Sequence, residues 1–207
     1  MSRATLYYVH DPMCSWCWGF RPVWQQVQSA LSAKVTIRYL LGGLAADNEL
    51  PMPAEMQANI RDTWAHIQKE IPGTAFNFDF WTQNQARRST YPACRAVIAA
   101  AMQEPVLASE NMLLAIQQAY YLEAKNPSDN DILIQLAIDS GLDGEQFKTD
   151  LFSDKCEQLL QQHLRESRQL GVHSFPGLVL RCNDSNTLIA IDYNSSENIV
   201  TSILAEL

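Results

Sequence analysis

The chain has 207 residues, 47% of them hydrophobic and 18% charged, which is the make-up of an ordinary globular protein with enough length to bury a core without disulfide staples. A formal net charge of −8 disfavours nucleic acid or an anionic membrane surface as a partner. Five cysteines without a framework spacing fit a reducing compartment, no apolar run reaches membrane-helix length, and no apolar leader precedes the first strand signal, so the expected location is cytoplasmic.

Thr5-Leu-Tyr-Tyr-Val-His10 is rich in aromatic and β-branched residues, stops at Asp11-Pro12, and reads as a buried strand. Cys14-Ser15-Trp16-Cys17 follows, and Trp18-Gly-Phe20 with Pro22 then opens a helix. Two thiols three residues apart can close a disulfide on each other and pass it on. At a strand-to-helix turn the unpaired N–H groups of the first helical turn and the helix dipole favour an anion, which makes a thiolate available near neutral pH. Cys14 is therefore the candidate nucleophile and Cys17, one turn deeper, its resolving partner. Structural zinc would need further paired ligands. Cys94, Cys156 and Cys182 stand alone, and His10, His66, His163 and His173 are widely scattered, so redox chemistry is favoured over metal and no metal is expected.

Phe20, Val23, Trp24, Val27 and Leu31 fall on one helical face, with Gln25, Gln26 and Gln28 opposite. Val35 to Leu41 alternates as a strand and ends at Gly42-Gly43, completing a β-α-β unit with parallel strands. Helical patterns then run over Pro53–Glu70, Pro92–Gln103, Val106–Lys125, Asp129–Ser140, Asp143–Leu151 and Ser153–Leu170, punctuated by proline and glycine. Strand signals return at Gly177–Cys182 and Leu188–Asp192, with Asn183-Asp-Ser-Asn186 as the predicted hairpin loop. Asn194 and Glu197 resemble a capping box for a last helix.

This order of elements, with its paired cysteines, resembles the thioredoxin fold as built in the DsbA family, and the resemblance spans the whole chain. Asp11-Pro-Met-Cys14-Ser-Trp-Cys17-Trp-Gly-Phe20 resembles the D-x-x-C-P-W-C-W/Y-x-G signature of the FrnE-like, cytoplasmic DsbA-like branch. Gly42-Gly43 is usual there, and Gly171-Val-His-Ser-Phe-Pro176 resembles its G-V-x-x-x-P segment. The resemblance implies an α/β fold: a discontinuous thioredoxin-like domain of residues 1–43 and 172–207, interrupted by an inserted helical domain, 44–171. It also implies a cis peptide bond before Pro176, facing the cysteines. The implied activity is that of a thiol-disulfide oxidoreductase, or a protein disulfide isomerase, working through a mixed disulfide. No bound cofactor is implied, and glutathione is a candidate redox partner.

Two departures stand out. Ser15 replaces the frequent proline between the thiols, where the dipeptide tunes reduction potential, so the direction of electron flow stays open. Phe175 stands where a smaller β-branched residue is usual and is expected to narrow the substrate groove.

Among the remaining candidates, His10 and Asp11 could relay a proton to Cys17, or form a solvated loop pair. Of Trp16 and Trp18, one is expected to line a substrate-facing patch and the other to pack between domains. Cys94 reads as a small buried hydrophobe or a third thiol. Arg87-Arg88 reads as solvated surface or a contact for a glutathione or peptide carboxylate. Expected partners are proteins or peptides carrying a disulfide or dithiol, or glutathione itself; the oligomeric state is left open. Two rival readings remain. One is a glutathione-dependent isomerase or transferase resembling 2-hydroxychromene-2-carboxylate isomerases and kappa-class glutathione transferases, which generally keep serine where Cys14 stands and lack the second cysteine. The other is a non-catalytic binding or chaperone-like module.

Overall fold

The computed structural model describes residues 4–183 and 185–207. In chain order it contains β1 (Thr5–His10), α1 (Ser15–Leu31), β2 (Thr36–Leu41), α2 (Ala54–Glu70), α3 (Phe80–Gln83), α4 (Tyr91–Gln103) and α5 (Leu107–Tyr121). There follow α6 (Asn130–Asp139), α7 (Gly144–Leu151), α8 (Asp154–Gln169), β3 (Gly177–Cys182), β4 (Ser185–Ile189) and α9 (Ser196–Ala205). The fold is α/β and thioredoxin-like, with helices inserted between β2 and β3. Two compact units are present: one takes the chain up to Gly42 and again from His163, the other is Gly43–Gln162. The boundary thus falls inside α8, whereas the pattern of helix signals had drawn it after Gly171.

In the first unit the four strands run in the order β2-β1-β3-β4. β1 pairs in parallel with β2 and antiparallel with β3, and β3 is antiparallel to β4. β1 is central, so alternate residues bury against opposite layers. Leu6 and Tyr8 join Leu178 and Leu180 from β3, the stripe Phe20, Val23, Trp24, Val27 and Leu31 of α1, and Ile199 and Ile203 of α9. Tyr7 and Val9 point the other way, to Leu40, Val179, Leu170 and Val172, with Phe175 packed at the rim. α1 continues through Pro22.

The second unit is built around Trp64, whose side chain is buried among the rings of Phe76, Phe78, Phe80, Trp81, Tyr120 and Tyr121 at centroid distances of 5.0 to 6.0 Å. Ala93, Cys94, Ala96, Ala99 and Ala100 make α4 an almost wholly buried, small-residue helix. Cys94 is therefore a small buried hydrophobe in this unit. Arg87 is tied down by the Asp129 carboxylate and donates to the Ser128 carbonyl at 2.9 Å, so it is anchored within the unit and not a free surface cation.

Several local expectations shift. α5 ends at Tyr121, before Lys125, because Ala124 takes a left-handed φ of 54° that no helix continues through. The four-residue α3 is too short to show a helical period. β4 begins at Ser185, so its paired residues are mostly polar and the run to Asp192 is not all strand. The predicted loop 183–186 includes Asp184, which lies outside the described residues; Cys182 already pairs with Ser185. The last helix is capped by Ser195, whose hydroxyl accepts from the Asn198 N–H at 3.3 Å, one position later than the expected Asn194. Asp192 completes that turn by accepting from the Asn194 and Ser195 N–H groups, each at 2.9 Å.

Candidate functional site

The site is assembled within the first unit, where β1 ends and α1 begins. Asp11, fully buried, turns the chain: its carboxylate accepts from the Met13 N–H at 2.8 Å and its carbonyl from the Cys14 N–H at 3.1 Å. Cys14 is thereby set at the N-cap of α1. Its sulfur accepts from the Cys17 N–H at 3.4 Å, so the first helical turn aims one of its unpaired donors at the sulfur. From the other side the Cys14 thiol donates to the Phe175 carbonyl at 3.4 Å. The bond between Phe175 and Pro176 is cis. The three elements holding Cys14 are thus the β1 turn, the first turn of α1 and the loop before β3.

Cys14 is 5% exposed and Cys17 only 1%. Burial pushes the Cys17 thiol well above its ordinary value, with the Cys14 side chain adding in the same direction. The Asp11 carboxylate raises it further, against a hydrogen bond from the Asp11 backbone that lowers it. Asp11 thus belongs to the electrostatic surroundings of Cys17.

His10 takes a different place. It is 2% exposed, its Nδ1 has no hydrogen-bond partner, and burial lowers its pKa to about 3, assisted by the charges of His163 and Arg21. It is a neutral imidazole in the aromatic core. His163 on α8 accepts from the Leu41 N–H through Nδ1 at 3.3 Å, and burial lowers its pKa too.

Ser15, Trp16 and Trp18 are half-buried on the first turn of α1. The Trp16 ring lies 4.9 Å from that of Tyr193, which also meets Phe20 edge-on at 5.8 Å. Tyr193 was not among the expected site residues. Its hydroxyl is pushed upward by burial, then by Cys17 and Cys14, which marks it as part of the cysteines' surroundings. The one local hint was an aromatic residue just before a helix cap. Tyr8 is likewise raised, first by burial and then by the two sulfurs.

Phe175 is half-buried, and its ring reaches back over Gly42 at the end of β2: a Cβ built on Gly42 would lie 2.0 Å from Cε1 and Cζ. Gly42 has no left-handed φ, so the requirement for glycine is one of space. Gly43 does adopt φ 64°. Among the described residues no cluster of His, Cys, Asp and Glu could hold a metal ion, and no helix is long and apolar enough to cross a membrane.

Residues 7–201 match the protein family described as Thioredoxin. Among curated proteins, the chain is 28% identical over 177 residues to the ClpXP adapter protein SpxH of Halalkalibacterium halodurans, covering 84% of this chain and 57% of that protein, so it spans little more than half the relative's length. Among solved structures, a candidate protein disulfide isomerase from Nitrosomonas europaea superposes with a TM-score of 0.85 at 29% identity, covering 99% of this chain and 97% of that one. The cytosolic disulfide reductase DsbM of Pseudomonas aeruginosa shares the fold at a TM-score of 0.74 and 22% identity, covering 98% and 96% of the two chains, and a second structure of it holds glutathione. With the family match running nearly end to end and the paired cysteines seated on the first turn of α1, this chain belongs to the thioredoxin family, in its DsbA-like form.

Proposed function

We propose that the protein is a thiol-disulfide oxidoreductase acting on protein, peptide or glutathione disulfides. The observation that carries this reading is the seating of Cys14, at a helix N-cap, between the Cys17 amide and the Phe175 carbonyl. In the reducing direction the Cys14 thiolate attacks one sulfur of a substrate disulfide, forming a mixed disulfide and releasing the other sulfur as a thiolate. Cys17 gives its proton to Asp11 and attacks the Cys14 sulfur. The Cys14–Cys17 disulfide forms, the substrate sulfur leaves as a thiolate that takes the proton back from Asp11, and two electrons have passed to the substrate. Oxidation of a dithiol is the same path reversed. Pro176 and the Phe175 backbone present a polar edge to the substrate, while Ser15, Trp16 and Trp18 line the helix side of the approach. His10 contributes as a neutral part of the support. A cytoplasmic location and glutathione as partner fit the cytosolic, glutathione-holding DsbM structures. Retention of both thiols favours redox chemistry over the isomerase and transferase reading.

The likeness to SpxH favours a second reading, a protein-binding adapter for ClpXP in which the cysteines are not turned over. The deciding experiment replaces Cys17 by Ser and exposes the variant to glutathione disulfide and to a disulfide-bonded peptide. Oxidoreductase chemistry predicts one adduct per chain at Cys14 in the intact mass spectrum, and reversible closure of the disulfide in the wild type. Failure of both would leave the adapter reading.

A further inference from the structure

We infer that Gly42 is a positioning residue of the Cys14 site, acting through the ring of Phe175; this rests on the redox reading above. The two residues are 133 positions apart in sequence, and the ring of one fills the volume a side chain would need on the other, at 2.0 Å from the Cβ position. Real Cβ atoms never come that close to a ring carbon, so any side chain at position 42 must displace one partner. Gly42 is the fixed partner, because its N–H donates to the His10 carbonyl at 2.7 Å at the end of the β1–β2 ladder. The Phe175 ring is the movable one, half-buried at the edge of the layer formed by Tyr7, Val9, Leu40, Leu170, Val172 and Val179. The carbonyl of the same residue accepts the Cys14 thiol proton at 3.4 Å. The path from the end of β2 to the reactive sulfur is therefore two residues long.

This coupling has a direction. The S–H···O=C bond exists only in the dithiol with Cys14 protonated, so at a pH that keeps the thiol, displacing the Phe175 carbonyl destabilises the reduced protein relative to the disulfide. The equilibrium that reads it is the exchange of protein dithiol and one glutathione disulfide with protein disulfide and two glutathione thiols, in which two electrons and two protons move to glutathione. A lost hydrogen bond of ordinary strength shifts it by about two- to tenfold toward the protein disulfide.

The test is a cycle of four proteins: wild type, Gly42→Ala, Phe175→Val and the double variant. For each, the glutathione equilibrium constant and the unfolding midpoint of the reduced protein are measured. Gly42→Ala is expected to shift the equilibrium toward disulfide by about that factor and to lower the midpoint, and to do neither in the Phe175→Val background, where the ring is gone. Equal effects of Gly42→Ala in both backgrounds, or a lowered midpoint with an unmoved equilibrium because the ring swings aside and leaves the carbonyl in place, would overturn the inference. A wild type with no reversible exchange would sink the redox reading alone. In that case the rate of Cys14 alkylation, measured over the same four proteins, replaces the equilibrium and decides the coupling by the same comparison.

Discussion

The imidazole of His10 lies flat on the ring of Tyr8, centroids 4.9 Å apart and planes 19° from parallel, with Tyr39 edge-on to it at 5.9 Å. Tyr8 in turn stacks on Trp24 at 4.4 Å, so the imidazole is one layer of an aromatic stack that continues into α1. Burial in that stack removes the water a charged ring would need.

The consequence is measurable as a pH dependence of stability. The pKa of His10 is lowered to about 3 in the folded chain, chiefly by burial, while the unfolded chain titrates near the ordinary value of about 6.5. Between those two values the unfolded state binds the extra proton, so stability rises with pH through the window and is lost as pH falls from about 6.5 toward 3. The loss is of the order of a few kcal/mol at the acid end. His163 is lowered in the same direction and adds to it. Denaturant unfolding at a series of pH values is expected to show a shallower slope for His10→Phe than for wild type; an unchanged slope would remove His10 as the cause.

Asp11→Asn keeps the oxygen that accepts from Met13 and removes only the charge. If Asp11 takes the Cys17 proton, release of glutathione from the Cys14 mixed disulfide is expected to slow by about 10²-fold or more, with the rate of Cys14 alkylation unchanged. Stopped-flow or quenched-mass measurement of that single turnover decides it. A faster release would mean that the carboxylate acts only by raising Cys17.

Thiol mapping of the reduced native protein with a small maleimide near neutral pH is expected to label Cys14 and the half-exposed Cys182, and to leave Cys17, Cys94 and Cys156 unmodified until unfolding. Cys156 is fully buried, its thiol donates to the Arg95 carbonyl at 3.3 Å, and burial pushes its pKa up to about 12. Rapid labelling of Cys156, or none at Cys14, would contradict the site.

Trp64→Ala should be among the costliest single substitutions in the second unit. The indole is 1% exposed and stacks on Phe76 at 5.0 Å within a ring of aromatic neighbours that cannot close over the void. A loss of about 3 to 5 kcal/mol in urea unfolding is expected. A loss below about 1 kcal/mol would mean that the cluster repacks.

Much of this was legible in the chain because its signals are local. The apolar stripe from Phe20 to Leu31 names its own buried face, the paired cysteines sit where a strand hands over to a helix, and the loop before β3 carries a recognisable family segment. What escaped is set by partners distant in sequence. Tyr193 joins the site only because the turn capped by Asp192 brings it to Trp16, and no period or motif announces that. Sequence offers His10 with Asp11 either as a proton relay or as a solvated loop pair, and its side chain instead faces the aromatic layer, as its place at the end of β1 requires. The offset of β4 has a simpler cause: at the edge of the sheet Ser185, Asn186 and Thr187 can pair without being apolar, so hydrophobic alternation marks the wrong residues.

That placement of the outer strands bears on how the protein keeps to itself. β2 and β4 end the sheet on either side, and each leaves one row of backbone donors and acceptors without a strand partner. They are six and five residues long, with Thr36 and Arg38 exposed on one and Ser185 and Asn186 on the other. Short edge strands carrying exposed polar or charged residues disfavour edge-to-edge pairing with the sheet of another copy, which is one way a sheet of this kind can leave its margins unpaired by strands.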